Sequence, residues 1–167
     1  MAIHILTGNG RGKTTSAIGT AIRMLGHGKK VLIIQFMKGR KNVGEYKFLK
    51  RIKNCTIKQF GRKEFVNLKK PDEKDKILAQ AGAEFLAYVL KQKKKPDLLI
   101  LDEINLACKI GLINTNEIVE KLKKAPKQMQ IILTGRHAPR ALKKIADLIT
   151  EMKDVKHPKK TIKGIHF

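Results

Sequence analysis

Tryptophan is absent from this 167-residue chain, and aromatic side chains make up only 5% of it. A protein that binds single-stranded nucleic acid by stacking sets aromatic rings along a positive groove, and this composition supplies few of them. Cysteine is scarce too: Cys55 and Cys108 stand far apart, with no histidine pair beside either. That argues against a disulfide scaffold or a zinc site and fits a reducing compartment. No apolar run approaches the ~20 residues of a membrane span, and no basic-then-apolar leader opens the chain, so the expectation is a cytoplasmic protein. Acids are few, 14 against 37 Lys and Arg, which leaves a formal net charge of +23. Such a surplus steers anions and acidic partners toward the surface. It is equally the mark of a lysine-rich solvated surface, an enrichment seen in heat-adapted proteins.

The strongest signal present is the stretch Leu6-Thr7-Gly8-Asn9-Gly10-Arg11-Gly12-Lys13-Thr14-Thr15, which follows a short apolar run and precedes a helical pattern. In a phosphate-binding loop, backbone N–H groups converge on one concavity, the lysine reaches the terminal phosphates and the following hydroxyl meets a metal ion. Gly12-Lys13-Thr14 supplies the end of that pattern. Thr7 stands where G-x-x-x-x-G-K-[ST] wants its first glycine, and Gly8 is displaced by one residue.

Downstream, strand and helix patterns alternate. Ala17, Ile18, Ala21, Ile22 and Leu25 recur at helical spacing, and Gly26 and Gly28 end that helix. The continuous run Val31 to Phe36 suits a parallel strand covered on both faces. Gln35 and Lys38 fall at its carboxyl end, the rim on which open α/β sheets bind ligands. A short helix near residues 45–51 and a strand near residues 55–60 follow. Pro71-Asp72-Glu73 opens the longest helix, with an expected buried stripe of Leu78, Ala81, Gly82, Phe85, Leu86 and Val89 and with Tyr88 assigned to core packing. Leu98-Leu99-Ile100-Leu101-Asp102-Glu103 reads as a buried strand that presents a carboxylate to magnesium at its tip. Residues 129–133 form another strand ending in Thr134-Gly135-Arg136, where a cation can neutralise developing negative charge. A last helix and strand occupy residues 139–152. With no repeat or linker in view, the residues imply one nucleotide-binding domain spanning 1–167. Its expected class is α/β, P-loop NTPase-like (RecA-like), with a mostly parallel sheet and helices on both faces.

Seven ordered segments, residues 7–15, 26–29, 35–39, 101–105, 132–136, 146–152 and 156–158, carry a further likeness. The chain resembles the ATP:corrinoid adenosyltransferases, which convert cob(I)alamin to adenosylcobalamin. The resemblance implies that ATP lies reversed in the loop so that its 5′ carbon faces the corrinoid, cobalt(I) attacks that carbon and inorganic triphosphate departs. It implies catalytic roles for Lys13, Thr14, Glu103 and Arg136. It places ATP and the corrinoid on Gly8, Asn9, Gly10, Arg11, Gly12, Lys13, Thr14, Thr15, Gln35, Lys38 and Phe65, and Mg2+ on Thr14 with Asp102 or Glu103. It also implies a flavodoxin-like, acidic electron donor and a homodimer. Departures from the family pattern fall at Lys63-Glu64-Phe65, where relatives often have Phe-Thr-Trp, at His166, where they usually have an acid, and before the first strand, where many carry an extra helix. The alternative is a RecA-like P-loop ATPase acting on nucleic acid, for which the charge and the Asp-Glu pair speak. A non-catalytic carrier is disfavoured by the complete set of Lys13, Thr14 and Asp102.

Overall fold

The computed structural model describes residues 1–156, 160 and 162–165; His157, Pro158 and His166 of the sequence comparison lie outside them. Strand and helix alternate: β1 (Ala2–Thr7), α1 (Lys13–Gly26), β2 (Val31–Phe36), α2 (Gly44–Leu49), β3 (Cys55–Phe60), α3 (Glu73–Lys91), β4 (Leu98–Asp102), α4 (Ile104–Lys109), α5 (Thr115–Lys123), β5 (Gln130–Thr134), α6 (Arg140–Lys144) and β6 (Leu148–Glu151). The strands form one six-stranded sheet in the order β3-β2-β4-β5-β1-β6. Every pairing in it is parallel. This is the expected P-loop NTPase-like α/β arrangement.

The apolar strands are continuous because each must feed two cores. In β4, Leu99 and Leu101 pack on one face with α3, α4, α5 and α6, while Leu98 and Ile100 pack on the other with α1 and Leu49 of α2. Alternation of side chains across the sheet therefore uses every apolar residue. One row of register partners, Ile57, Ile33, Ile100 and Ile132, crosses the sheet from β3 to β5. Strand β5 lies between the strand that carries the Gly-rich loop and the strand that ends in Asp102, so its own tip is brought between theirs.

Helix α3 differs from its expected stripe. Its buried residues are Asp75, Ala79, Gly82, Ala83, Leu86 and Val89, while Leu78, Ala81 and Phe85 are half-buried. Tyr88 is 58% exposed and stacks on Phe85 with ring centroids 6.2 Å apart, so it does not serve as core. The cause is close approach to the sheet. A Cβ on Gly82 would lie 2.6 Å from the Phe36 ring, so the helix turns its smallest residues, not its largest, toward β2. At the start of α3, the buried Asp75 accepts from Arg62 Nε at 2.8 Å and Nη2 at 2.9 Å, a two-pronged pair that fixes the segment after β3.

Two glycines set the backbone spacing at the site's edge. A Cβ on Gly61 would lie 2.3 Å from the Lys38 nitrogen, and one on Gly39 would lie 2.3 Å from the Gly61 carbonyl oxygen. The chains leaving β2 and β3 thus pass at a distance that excludes a side chain, and this crossing presents Lys38. Gly61→Ala is therefore expected to lower stability by about 1–3 kcal/mol, read from the denaturant midpoint. Gly19→Ala, in mid-helix with open space around it, is expected to do the opposite by about 0.5–1 kcal/mol.

Candidate functional site

The carboxyl ends of β1, β2, β4 and β5 converge on one rim. Asp102, at the tip of β4, is 1% exposed and is surrounded by four side-chain partners. Its Oδ1 accepts from Thr14 Oγ1 at 2.8 Å and Thr134 Oγ1 at 2.6 Å. Its Oδ2 accepts from Gln35 Nε2 at 2.9 Å and Lys38 Nζ at 2.7 Å. Burial alone would raise its pKa, but the Lys38 ammonium and the hydrogen bonds outweigh burial and hold the carboxyl below the ordinary range. Burial likewise opposes the charge on Lys38, and Asp102 and Glu103 overcome it, so its pKa is raised. Lys38 Nζ also donates to Thr14 Oγ1 at 3.2 Å, which places its ammonium between the two oxygens best suited to a hard cation.

The Gly-rich loop is braced from one side by the chain that follows β6. Gly10 N–H donates to the Met152 carbonyl at 2.8 Å, and Arg11 N–H donates to Asp154 Oδ1 at 3.1 Å. Two of the loop's amides are therefore committed to the protein. Gly8 and Gly12 take φ of 93° and 98°, a region open to glycine and strained for other residues. Thr7 fills the first-glycine position of the motif because β1 continues through it; its buried Oγ1 accepts the Ala138 N–H at 3.2 Å. Lys13 is buried and donates to the carbonyls of Gly8 and Gly10. Desolvation lowers its pKa, chiefly offset by Glu103.

These features enclose a cavity of about 560 Å3. Asn9, Gly10, Arg11, Gly12, Lys13, Thr14 and Thr15 line it, with Lys38, Glu103 and Arg136 opposite. Gly8 and Asp102 stand behind that wall. Gln35 is 1% exposed and acts on Asp102, receiving in turn the Gln59 amide at 3.0 Å. It holds the carboxylate, where the sequence reading had it touching a ligand. Phe65 is 84% exposed, its ring covered by the Arg40 guanidinium at 4.2 Å, and it lines neither this cavity nor the larger one beside it. Sequence reasoning passed over Thr134, whose hydroxyl donates to Asp102 and accepts the Glu103 N–H at 3.0 Å. It also passed over Asn105, whose buried amide donates to the Leu6 and Gly135 carbonyls. A polar residue directly after the apolar run of β5 was the available signal for the first.

The second cavity, of about 1160 Å3, adjoins the first through Gly44 and Gly164. Among the described residues no group of three or more His, Cys, Asp or Glu could hold a metal ion by itself. No helix among them is long and apolar enough to cross a membrane.

Residues 1–167 match the family described as ATP:corrinoid adenosyltransferase BtuR/CobO/CobP. The chain is 34% identical over 167 residues to a corrinoid adenosyltransferase of Pseudomonas aeruginosa, covering 96% of this chain and 81% of the relative. It is 34% identical over 155 residues to that of Escherichia coli K12, with 93% and 78% covered. With corrinoid adenosyltransferase CobA of Salmonella typhimurium the identity is 32% over 157 residues, with 93% and 78% covered.

Glu103 generates a prediction of its own. It takes φ of 64°, in the left-handed region, and burial, followed by the Asp102 charge, raises its pKa. A carboxyl with a raised folded pKa opposes folding once pH passes its unfolded value, and the penalty is complete above the folded one. Glu103→Gln is therefore expected to raise the thermal midpoint at neutral pH, with the gain shrinking as pH falls from the raised folded pKa toward the ordinary carboxylate value and gone below it. Thermal scans across pH check it; a gain that grows on acidification contradicts it.

Proposed function

The chain belongs to the ATP:corrinoid adenosyltransferase family, and from that membership we propose a division of labour between its two cavities. The enzyme moves the 5′-deoxyadenosyl group of ATP to the Co(I) of a corrinoid. The C5′–O bond breaks as the cobalt–carbon bond forms, and the electron pair leaves with inorganic triphosphate. The smaller cavity holds the triphosphate and the larger one the corrinoid. The observation that carries this reading is the convergence of Lys13, Thr14, Glu103 and Arg136 on a cavity that adjoins a second, larger one, with Asp102 bonded to Thr14 behind its wall.

Charge on the leaving group grows in the transition state, and fixed donors aimed at it lower the barrier. Lys13, the N–H groups of residues 12–14 and Arg136 fill that role. Lys13 exchanges its carbonyl partners for phosphate oxygens. The oxygens of Thr14 and Asp102 are hard donors 2.8 Å apart, the pair that would hold magnesium. That ion usually takes one or two protein oxygens and completes its shell with phosphate and water. When bound, it supplies Lewis-acid charge to the departing phosphates. Glu103 stands beside this pair in the cavity wall. Cobalt(I) is itself the nucleophile, so no general base is required, and Glu103 serves the electrostatics of the site instead of activating water. The positive surface suits a flavodoxin-like, acidic reductant, and a homodimer is retained as the assembly.

The deciding experiment mixes protein, ATP, Mg2+ and chemically reduced corrinoid, follows loss of the Co(I) spectrum to a light-sensitive alkyl product, and identifies the polyphosphate released. Triphosphate is expected; orthophosphate, or stimulation by DNA, would favour the nucleic-acid ATPase. Lys13→Ala is expected to lower kcat by at least about 100-fold, and near-wild-type turnover would show that the loop has another role. With a flavoprotein donor in place of the chemical reductant, the rate is expected to fall as salt rises beyond the ~8 Å screening length reached at 0.15 M; salt-independent rates would remove the electrostatic contribution.

A further inference from the structure

Lys38 is seated on the two oxygens assigned above to magnesium. Its Nζ donates to Asp102 Oδ2 at 2.7 Å and to Thr14 Oγ1 at 3.2 Å, while Thr14 and Asp102 remain joined to each other at 2.8 Å. An ammonium and a divalent ion cannot share that position: both need the same lone pairs, and at such separations like charges repel strongly. The root of the side chain is fixed, because Gly61 approaches the Lys38 nitrogen too closely to admit a Cβ. Its flexible stem is free to turn. The side chain is 31% exposed and lines the loop cavity together with Lys13 and Arg136. The ammonium can therefore leave Asp102 and swing into the cavity without movement of the backbone.

Asp102 is 1% exposed, so its charge has to be matched by a cation at all times, and a cation on the same chain is always at hand. A triphosphate entering the cavity offers the ammonium oxygens of its own and brings a divalent ion to take over the carboxylate. We propose that Lys38 is a tethered counter-ion: it closes the Thr14–Asp102 position to a free divalent cation and crosses to the phosphate chain when the cation arrives with the nucleotide. This rests on the magnesium assignment made for adenosyl transfer and adds an order to it, in which metal and nucleotide enter together. Lys38 thus opposes the metal alone and favours the metal with its nucleotide. A merely structural lysine would not produce that reversal of sign.

The test uses Mn2+ as the probe. Binding of Mn2+ alone is followed by loss of its free electron paramagnetic resonance signal, and binding of its ATP complex by calorimetry without corrinoid. In the absence of nucleotide, Lys38→Met is expected to bind Mn2+ about tenfold or more tightly than wild type, and its thermal midpoint is expected to rise further on addition of Mn2+. With ATP the order reverses, the variant binding the Mn2+ complex about tenfold more weakly. Lys38→Gln, whose amide can still donate to Asp102, is expected to give the same two signs and serves if Lys38→Met is too unstable to purify. Lys50→Met, which removes the same charge from an exposed position at the end of α2, is expected to match wild type in both measurements. Lys38 variants that bind Mn2+ alone no better than wild type, that shift both ligands in the same direction, or that are matched by Lys50→Met overturn the proposal and leave adenosyl transfer standing. Binding of the Mn2+ complex of ATP that is indifferent to Thr14→Ala withdraws the magnesium assignment and the proposal with it.

Discussion

A fully buried carboxylate must be compensated, and the way Asp102 is compensated organises the rim of this sheet. Its partners come from the first turn of α1, the end of β2, the loop beyond β2 and the end of β5. Three of them are brought there by the strand order, since β2 and β5 are the hydrogen-bonded neighbours of β4, and Thr14 arrives from α1, which follows β1 beyond β5. Removing one member of a buried ion pair typically costs about 3–5 kcal/mol. The Lys38 side chain is 31% exposed, so its share is smaller than that range. The carboxylate thereby acts as a folding constraint that holds Thr14 at the head of α1.

Backbone strain collects along the same rim. Three of the four described non-glycine residues with positive φ lie there: Met37 follows β2 directly, Glu103 follows β4 directly and His137 lies just past β5, while Asn54 precedes β3 at the other end. Conformations of this kind cost about 1–3 kcal/mol each and persist where the surroundings over-determine them. Here the surroundings are identifiable. Met37 N–H is tied to the Phe60 carbonyl at 3.0 Å, and Glu103 N–H to Thr134 Oγ1. Strain and a disfavoured charge meet at Glu103.

The sheet, its helices and the loop were legible in the sequence because each rests on a local rule: continuous apolar runs for doubly covered strands, glycines before Lys13, and an acid at the end of an apolar strand. What was not legible depended on distance or on size. In the stripe of α3, Gly82, Leu86 and Val89 are buried as expected, but Ala79 and Ala83 take the places given to Leu78, Ala81 and Phe85, because Gly82 lies against the Phe36 ring. The pairing of Asp75 with Arg62 spans an irregular segment, which has no period to read. Gln35 was placed on the correct rim and given the wrong neighbour. A strand residue can face a ligand or the strand beside it, and only the parallel register that sets Gln35 against Asp102 decides between them. The commitment of the Gly10 and Arg11 amides to residues 152 and 154 could not be read either, because it depends on an edge strand more than 140 positions away in the chain.

The two cavities are built from different materials, and this bears on what each can contribute. The cavity at the Gly-rich loop is lined by residues 9–15, and the loop is tied to the chain after β6, so the fold itself holds these groups in place. The neighbouring cavity is walled mainly by lysine side chains, each of which loses about 1.5–2 kcal/mol of rotamer freedom when immobilised. Contacts of that kind give modest net affinity and loose positioning, but they tolerate substituents in varied places. Fixed geometry is therefore concentrated on the loop side, where Gly10, Arg11 and the Asp102 network are held by hydrogen bonds.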